Sequence, residues 1–497
     1  MRVLLRFSFL MNPSAPVPDS SASARHAQLL LAVLLGISVA VALVTRSTYD
    51  SGDSIKHYLF ARYAFQYPLN YLDSWAKPLF TLLASGPAQA GFIGMKLFQC
   101  GVVALSAWCA FVVARALRLP APELAILFAY AAPDYFFIQF SGLTEPLFGL
   151  VLVGSVALAV TGRPAWSAAL ISLLPFVRSE GFMLIGIWVV YLAWERQWWF
   201  LPLLLLGYAV FSAVGALVLG DLGWVFGHNP YATVSVYGHG DWNHFWIHLP
   251  NLLGRVLWAL ALIGTGQMLL NCFRPQRRRA PLFRAELLLI YGSIVVFVGA
   301  HTIFWAKGLF NSFGLTRVLT VTAPLFAIAA LRGLAGVAQV GHSLAARRRI
   351  RIVVATAAVL LPAVEPGSDF PWQHDFTQAP DQQVVENAAV WIRQTYGSVS
   401  RPLAYEFPYV AVATRNNFFD PKAHPTIVLN KDAQVASLPV GGLLVWDDWY
   451  TPVEGHVYLD KIRADTHFRQ MWQDSLPRHP QHPERDTTRI IVFERVR

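Results

Sequence analysis

The stretch YDSGDSIKHYLFARYAFQYPLNYLDSWAKPLFTLL, Tyr49 to Leu83, is too polar to cross a membrane and too apolar to be a free linker. It lies between two long apolar runs, Ala27 to Val44 and Phe92 to Val113. Asp50 and Asp53 stand at its head, about one turn apart in a helix, and His57 continues that face four residues on. Lys77-Pro78 closes the segment as the chain turns back toward the membrane. Carboxylates are costly beside a bilayer, so a pair just past a span is a functional candidate. The plain alternative is a solvated helix start after Ser47 and Thr48.

The rest of the chain supports a membrane setting. Its 497 residues are 55% hydrophobic and only 14% charged, with a mean hydropathy of +0.44. A soluble chain carries about a quarter charged residues. Apolar runs of roughly 14–24 residues recur, the length a helix needs to cross the hydrocarbon core. The fold class expected is a polytopic α-helical membrane protein with about eleven spans and a C-terminal soluble α/β domain. Met1–Leu10 is too short an apolar run for a convincing signal peptide, and residues 1–26 read as a cytoplasmic tail. The net charge of +10 sits in short loops between spans, which argues against nucleic acid as a partner. Cys100 and Cys109 lie about 13 Å apart along one helix, too far to bond, and Cys272 stands by a basic loop.

Arg placement orients the chain. Arg25 before the first span, Arg115 and Arg118 after the second, Arg163, Arg196, the run Arg274–Arg279 and Arg347–Arg351 all fall on one side when the spans are counted. By the positive-inside rule that side and the N-terminus are cytoplasmic. Residues 46–90 then form the first outer loop of a membrane domain covering residues 27–364. Ala165–Trp194 is interrupted at Arg178-Ser179-Glu180-Gly181 and reads as two short spans meeting outside. Residues 365–497 are charged, Pro-rich and without a span, so they form a separate outer domain. Helical spacing is expected over Asp381–Tyr396, and short strands over Pro402–Tyr405, Thr426–Leu429, Gly442–Trp446 and Ile490–Glu494. The setting is an integral protein of a bacterial-type inner membrane.

Charged residues converge on the outer ends of the apolar runs: Asp50, Asp53, Lys77, Asp134, Glu145, Arg178, Glu180 and Arg317. Such a mixed cluster suits an anionic lipid phosphate beside a carboxylate base. The sequence has neither a Walker pattern nor a dinucleotide GxGxxG after a strand. A sugar donor would therefore arrive on a lipid, and its transfer needs few parts. A carboxylate takes the acceptor's proton, and cations stabilise the departing phosphate.

The acidic loop after the first span, Trp75–Pro78 (WAKP), Thr144–Phe148 (TEPLF), Arg178–Gly181 (RSEG) and the Arg opening the span near Arg317 together resemble the GT-C superfamily of integral-membrane glycosyltransferases. Its members include protein O-mannosyltransferases, aminoarabinose transferases and mannosyltransferases of lipid-linked glycans. The resemblance covers about residues 27–364. It implies an inverting transfer of a sugar, mannose-like by preference, from a polyprenyl-phosphate donor to a hydroxyl on a glycan, lipid or protein at the outer membrane face. It also implies a catalytic base among Asp53 and Asp50, with Asp53 favoured because a helical run follows it. The family's usual acidic pair is replaced here by DSGDS, which leaves both open. Lys77 would contact the donor phosphate, with Arg317 and Arg178 as further contacts and His57, Asp134, Glu145 and Glu180 as other members of the site.

Each position has a plainer reading. Lys77 snorkels, Thr144 caps a helix whose first turn holds Glu145 and Pro146, Arg178 pairs with Glu180, Arg317 anchors at the interface, and Asp134 sits in a turn. His228, His239, His244 and His248 fit no metal spacing. Acidic clustering leaves room for a divalent cation without naming ligands. The competing class is a transporter or flippase for a lipid or small anion, which would show paired halves with charges at midplane.

Overall fold

A computed structural model describes residues 20–227, 233–364, 377–397, 401–424, 438–478, 483–484 and 486–497. Among the described residues, six helices are long and apolar enough to cross a membrane: Ser23–Val44, Phe92–Ala116, Trp198–Leu219, Arg255–Cys272, Phe283–Lys307 and Thr316–Ala338. Three shorter apolar helices accompany them, Glu145–Val160, Pro164–Phe176 and Gly181–Trp194. The protein is thus an integral helical membrane protein. The expected count of about eleven spans is not reproduced by length and hydropathy. The run Ala121–Gln139 is split into Leu124–Ala131 and Pro133–Ile138, because Pro133 lacks the N–H that would continue the ladder. Leu344–Val364 is one helix, but its first two turns carry Arg347, Arg348, Arg349 and Arg351.

The central element is Thr316–Ala338, 89% of whose apolar window is buried. It opens as a tight 3₁₀ turn, Thr316–Thr322, and continues as an α-helix. Its closest neighbour is Arg255–Cys272, and glycines set the distance. A Cβ on Gly333 would stand 1.9 Å from the Leu260 carbonyl oxygen, and one on Gly264 2.1 Å from that of Ala329. With no water to expel, spans gain by such close backbone approach. At its end Arg332 meets Glu286 through two hydrogen bonds, one from Nη2 to Oε2 at 2.6 Å. Glu286 opens a π-helical turn, Glu286–Gly292, inside the span Phe283–Lys307.

The segment Tyr49–Leu83 folds back on the bundle. Asp53–Tyr63 is a helix, Pro68–Leu72 a 3₁₀ turn, and Pro78–Ala88 a second helix packed on the first. Lys77 stands immediately before Pro78 in a left-handed conformation, φ 67°. Proline at the first helical position is favoured because its missing N–H has no partner there.

The described residues of the C-terminal part include four strands, β1 (Leu403–Ala404), β2 (Leu443–Asp447), β3 (Phe468–Pro477) and β4 (Thr487–Arg495), in the order β1-β2-β4-β3. β1 and β2 run parallel, and the other pairs are antiparallel. The helix Pro380–Tyr396 lies on β3 and β4 and buries Val384, Val385 and Ala388. The strand expected at Thr426–Leu429 and the domain boundary expected at residue 365 fall outside the described residues.

Candidate active site

Arg317 is the hub. It enters in the 3₁₀ turn that opens the central span and is nearly buried. Its Nη1 donates to Asp50 Oδ2, its Nη2 to Asp53 Oδ2 at 2.6 Å, and its Nε lies 3.8 Å from Glu145 Oε1. Glu145 Oε1 also accepts from Arg178 Nη1 at 2.9 Å, and Arg178 Nη2 donates to Glu180 at 2.9 Å. Ion pairs therefore link Asp50, Asp53, Arg317, Glu145, Arg178 and Glu180. Burial without such partners would cost several kcal/mol per charge.

The two aspartates are held differently. Asp50 Oδ1 accepts the N–H groups of Gly52 and Ser54, both at 3.0 Å, so the side chain fixes the head of the helix Asp53–Tyr63. With Oδ2 on Arg317, both its oxygens are engaged. Asp53 uses Oδ2 alone on Arg317, and its side chain is 48% exposed against 26% for Asp50. Ser54 Oγ accepts the N–H of Gly142 at 2.7 Å, which ties this helix to the loop before Glu145.

Thr144 does not cap its helix with its side chain; Arg178 Nη1 reaches its Oγ1 at 3.3 Å instead. Lys77 is buried, with Nζ donating to the Ser74 carbonyl at 3.3 Å. His57 is buried and stacked on Trp75 at 4.7 Å. Burial first, and then the cations Lys77, Arg178, Arg317 and Lys56, hold its imidazole well below the usual histidine range. It is a neutral core ring beside the cationic groups. Asp134 lies in the first turn of Pro133–Ile138, against the helix His244–Leu253. His244 Nε2 meets the Gly314 carbonyl at 2.7 Å and its ring meets that of His248 edge-on at 4.9 Å; His228 is outside the described residues. Among the described residues, no three His, Cys, Asp or Glu side chains are placed to hold a metal ion. One oxygen each of Asp50, Asp53 and Glu145 faces guanidinium nitrogens, so these carboxylates are already compensated by Arg317 and Arg178.

The C-terminal part closes over this cluster, which the sequence had not suggested. Gln382 Nε2 donates to Thr48 Oγ1 at 2.6 Å. The Tyr450 hydroxyl lies over Gly52, where a Cβ would be 2.5 Å away. Tyr450 stacks on Phe407 at 4.8 Å and is placed by Asp447, whose side chain accepts the N–H groups of Trp449 and Thr451 at 2.9 and 3.0 Å. Burial, then Asp50, Asp381, Asp53 and Glu454, push the Tyr450 hydroxyl far up, so it keeps its proton. At the other end of the helix Asp53–Tyr63, Tyr63 Oη donates to the Asn416 carbonyl at 3.3 Å and Phe419 packs on Phe60 at 4.9 Å. No local signal marks these residues, since each lies more than three hundred positions from its partner.

The bundle, the segment Tyr49–Leu83 and the C-terminal part share their fold with solved structures of a protein named ArnT. The chain is similar in structure to ArnT from Cupriavidus metallidurans in the apo state, with a TM-score of 0.59 and 13% identity over 95% of this chain and 98% of that one. It is similar to ArnT of the same organism bound to undecaprenyl phosphate, with a TM-score of 0.58 and 12% identity over the same shares. No family model and no curated protein matches the sequence. Identities this low carry the fold and not the chemistry.

Proposed function

We propose that this protein is an inner-membrane glycosyltransferase that takes a sugar from a polyprenyl-phosphate donor and passes it to a hydroxyl acceptor at the outer membrane face. The observation that carries the reading is the forked contact of Arg317 with Asp50 and Asp53, in a fold shared with a protein that binds undecaprenyl phosphate. In this reading Asp53 is the general base. Its second oxygen is open and its side chain half-exposed, whereas Asp50 is occupied at both oxygens. The acceptor oxygen attacks the anomeric carbon as its proton passes to Asp53. The carbon–oxygen bond to phosphate breaks, and the phosphate leaves with the electron pair. Attack opposite the leaving group inverts the anomeric carbon. Lys77, and the faces of Arg178 and Arg317 turned from their carboxylates, stabilise charge on the phosphate. Glu145 and Glu180 position the two arginines. A mannose-like sugar is the finer term of the proposal and rests on the sequence motifs alone.

The test is to incubate the purified protein in micelles with polyprenyl-phosphate sugars labelled in the sugar, together with glycan, lipid and protein acceptors. Release of free polyprenyl phosphate with label on an acceptor is the expected result. Lys77→Ala should raise the donor concentration required by about 10- to 150-fold, the worth of one charged hydrogen bond. A transporter would move label across a vesicle bilayer with the sugar–phosphate bond intact, and that result sinks the proposal.

A further inference from the structure

The far end of the bundle carries a second lipid-shaped feature. The central span takes the chain roughly 30 Å from Arg317 to Ala338, and the helix Leu344–Val364 begins there. Between this helix and Leu124–Ala131 runs a groove of about 590 Å³. Its walls are apolar, formed by Leu124, Leu127, Val359 and Leu360 among others. Its mouth is basic, with Arg348 and Arg351 both lining it. Three residues apart on a helix, the two guanidinium groups stand one above the other on the same face.

Among the described residues neither arginine is paired with a carboxylate: Arg351 has only a 3.5 Å contact to the Arg347 carbonyl, and Arg348 has no bonded partner. Glu123, on the opposite lip, accepts from Ser23 Oγ at 3.3 Å and is thereby turned toward the first span. From Arg348 to Leu360 the groove follows the helix for about 18 Å. That is close to the depth of one leaflet, half of a hydrocarbon core of about 30 Å.

We propose that the groove holds an anionic glycerophospholipid of the leaflet opposite the candidate active site, its phosphate on Arg348 and Arg351 and an acyl chain along Leu124, Leu127 and Leu360. Two uncompensated cations at the mouth of an apolar slot of leaflet depth match a phosphate joined to a hydrocarbon chain, and basic pockets between spans take such headgroups. The position separates this lipid from a donor, whose phosphate belongs at the Arg317 end. The distinction of this lipid from the donor rests on the proposed function.

The experiment exchanges the purified full chain into micelles doped with phosphatidylglycerol or phosphatidylcholine and counts retained lipid by native mass spectrometry. Phosphatidylglycerol should be retained about tenfold or more over phosphatidylcholine, the worth of at least one charged hydrogen bond. Arg348→Ala combined with Arg351→Ala should bring it down to the phosphatidylcholine level. Thr356→Trp, which fills the groove and leaves both arginines, should lower phosphatidylglycerol retention as well, and it decides the question if the double variant does not fold. Equal retention of the two lipids, or undiminished retention in a folded variant, overturns the proposal. So does a loss of retained polyprenyl phosphate, rather than of phosphatidylglycerol, in the folded double variant.

Discussion

Asp50 and Asp53 are one helical turn apart, and the same guanidinium holds both, yet their substitutions should separate. Asp53→Asn keeps the size of the side chain and removes its capacity to take a proton. Transfer should fall by about 10²–10⁴-fold while the fold survives. Asp50→Asn keeps an oxygen for the Gly52 and Ser54 N–H groups but weakens the pair with Arg317. Its main effect should be a lower melting temperature, with a smaller loss of rate. Measuring initial rate and thermal stability on both variants checks this, and the reverse ranking moves the base to Asp50. A third carboxyl gives a pH signature. Burial, reinforced by Glu454 and Asp447 and opposed by Lys56, raises Glu406 from 4.5 to about 7. Between those values the folded chain holds a proton that the unfolded chain has lost. The stability due to neutral Glu406 is therefore complete below the lower value and is lost as pH rises through the upper one. Melting temperature should fall as pH climbs through that window, less steeply in Glu406→Gln. An identical slope in the variant would show that Glu406 carries none of the effect.

Helices assemble here by close approach, and the tightest place is the crossing of Gly333 and Gly264. Gly333→Val should destabilise the protein by about 1–3 kcal/mol through forced separation of the two spans, read as a lower melting temperature in detergent. Retention of the native melting point would mean that the spans move apart freely. Elements of this kind were legible beforehand. Runs such as Phe92–Ala116 announce themselves by hydropathy, and the RSEG interruption correctly separates the helices ending at Phe176 and starting at Gly181. Pro133 broke what looked like one span. β3 went unseen because Phe468–Pro477 is polar along most of its length and mostly half-buried or exposed, so no alternation marks it. Within the cluster, residue types and span ends pointed to Asp50, Asp53, Glu145, Arg178, Glu180 and Arg317. Which of them touch was not legible, since Arg317 meets Asp50 from 267 positions away. The cover of Gln382 and Tyr450 was beyond reach for the same reason.

At the scale of the whole molecule, the clusters of arginine give the chain a direction. The RRRIR run at Arg347–Arg351 should hold the start of its helix in the cytoplasm and place the C-terminal strands outside. Alkaline phosphatase fused after Arg497 should then be active in intact cells, and activity from a cytoplasm-only reporter at that position would reverse the map. That orientation would put the Arg317 cluster at the outer face and the groove at Arg348 in the inner leaflet.

Gly52 and Tyr450 are separated by almost four hundred positions, and the room above Gly52 is filled by the Tyr450 hydroxyl. Neither can change alone without a collision or a gap. In descent, therefore, the two positions are expected to drift as a pair. A lineage that gains a side chain at position 52 should show a smaller residue at position 450, and the trace of that bargain would be a correlated column pair in any sufficiently deep set of relatives.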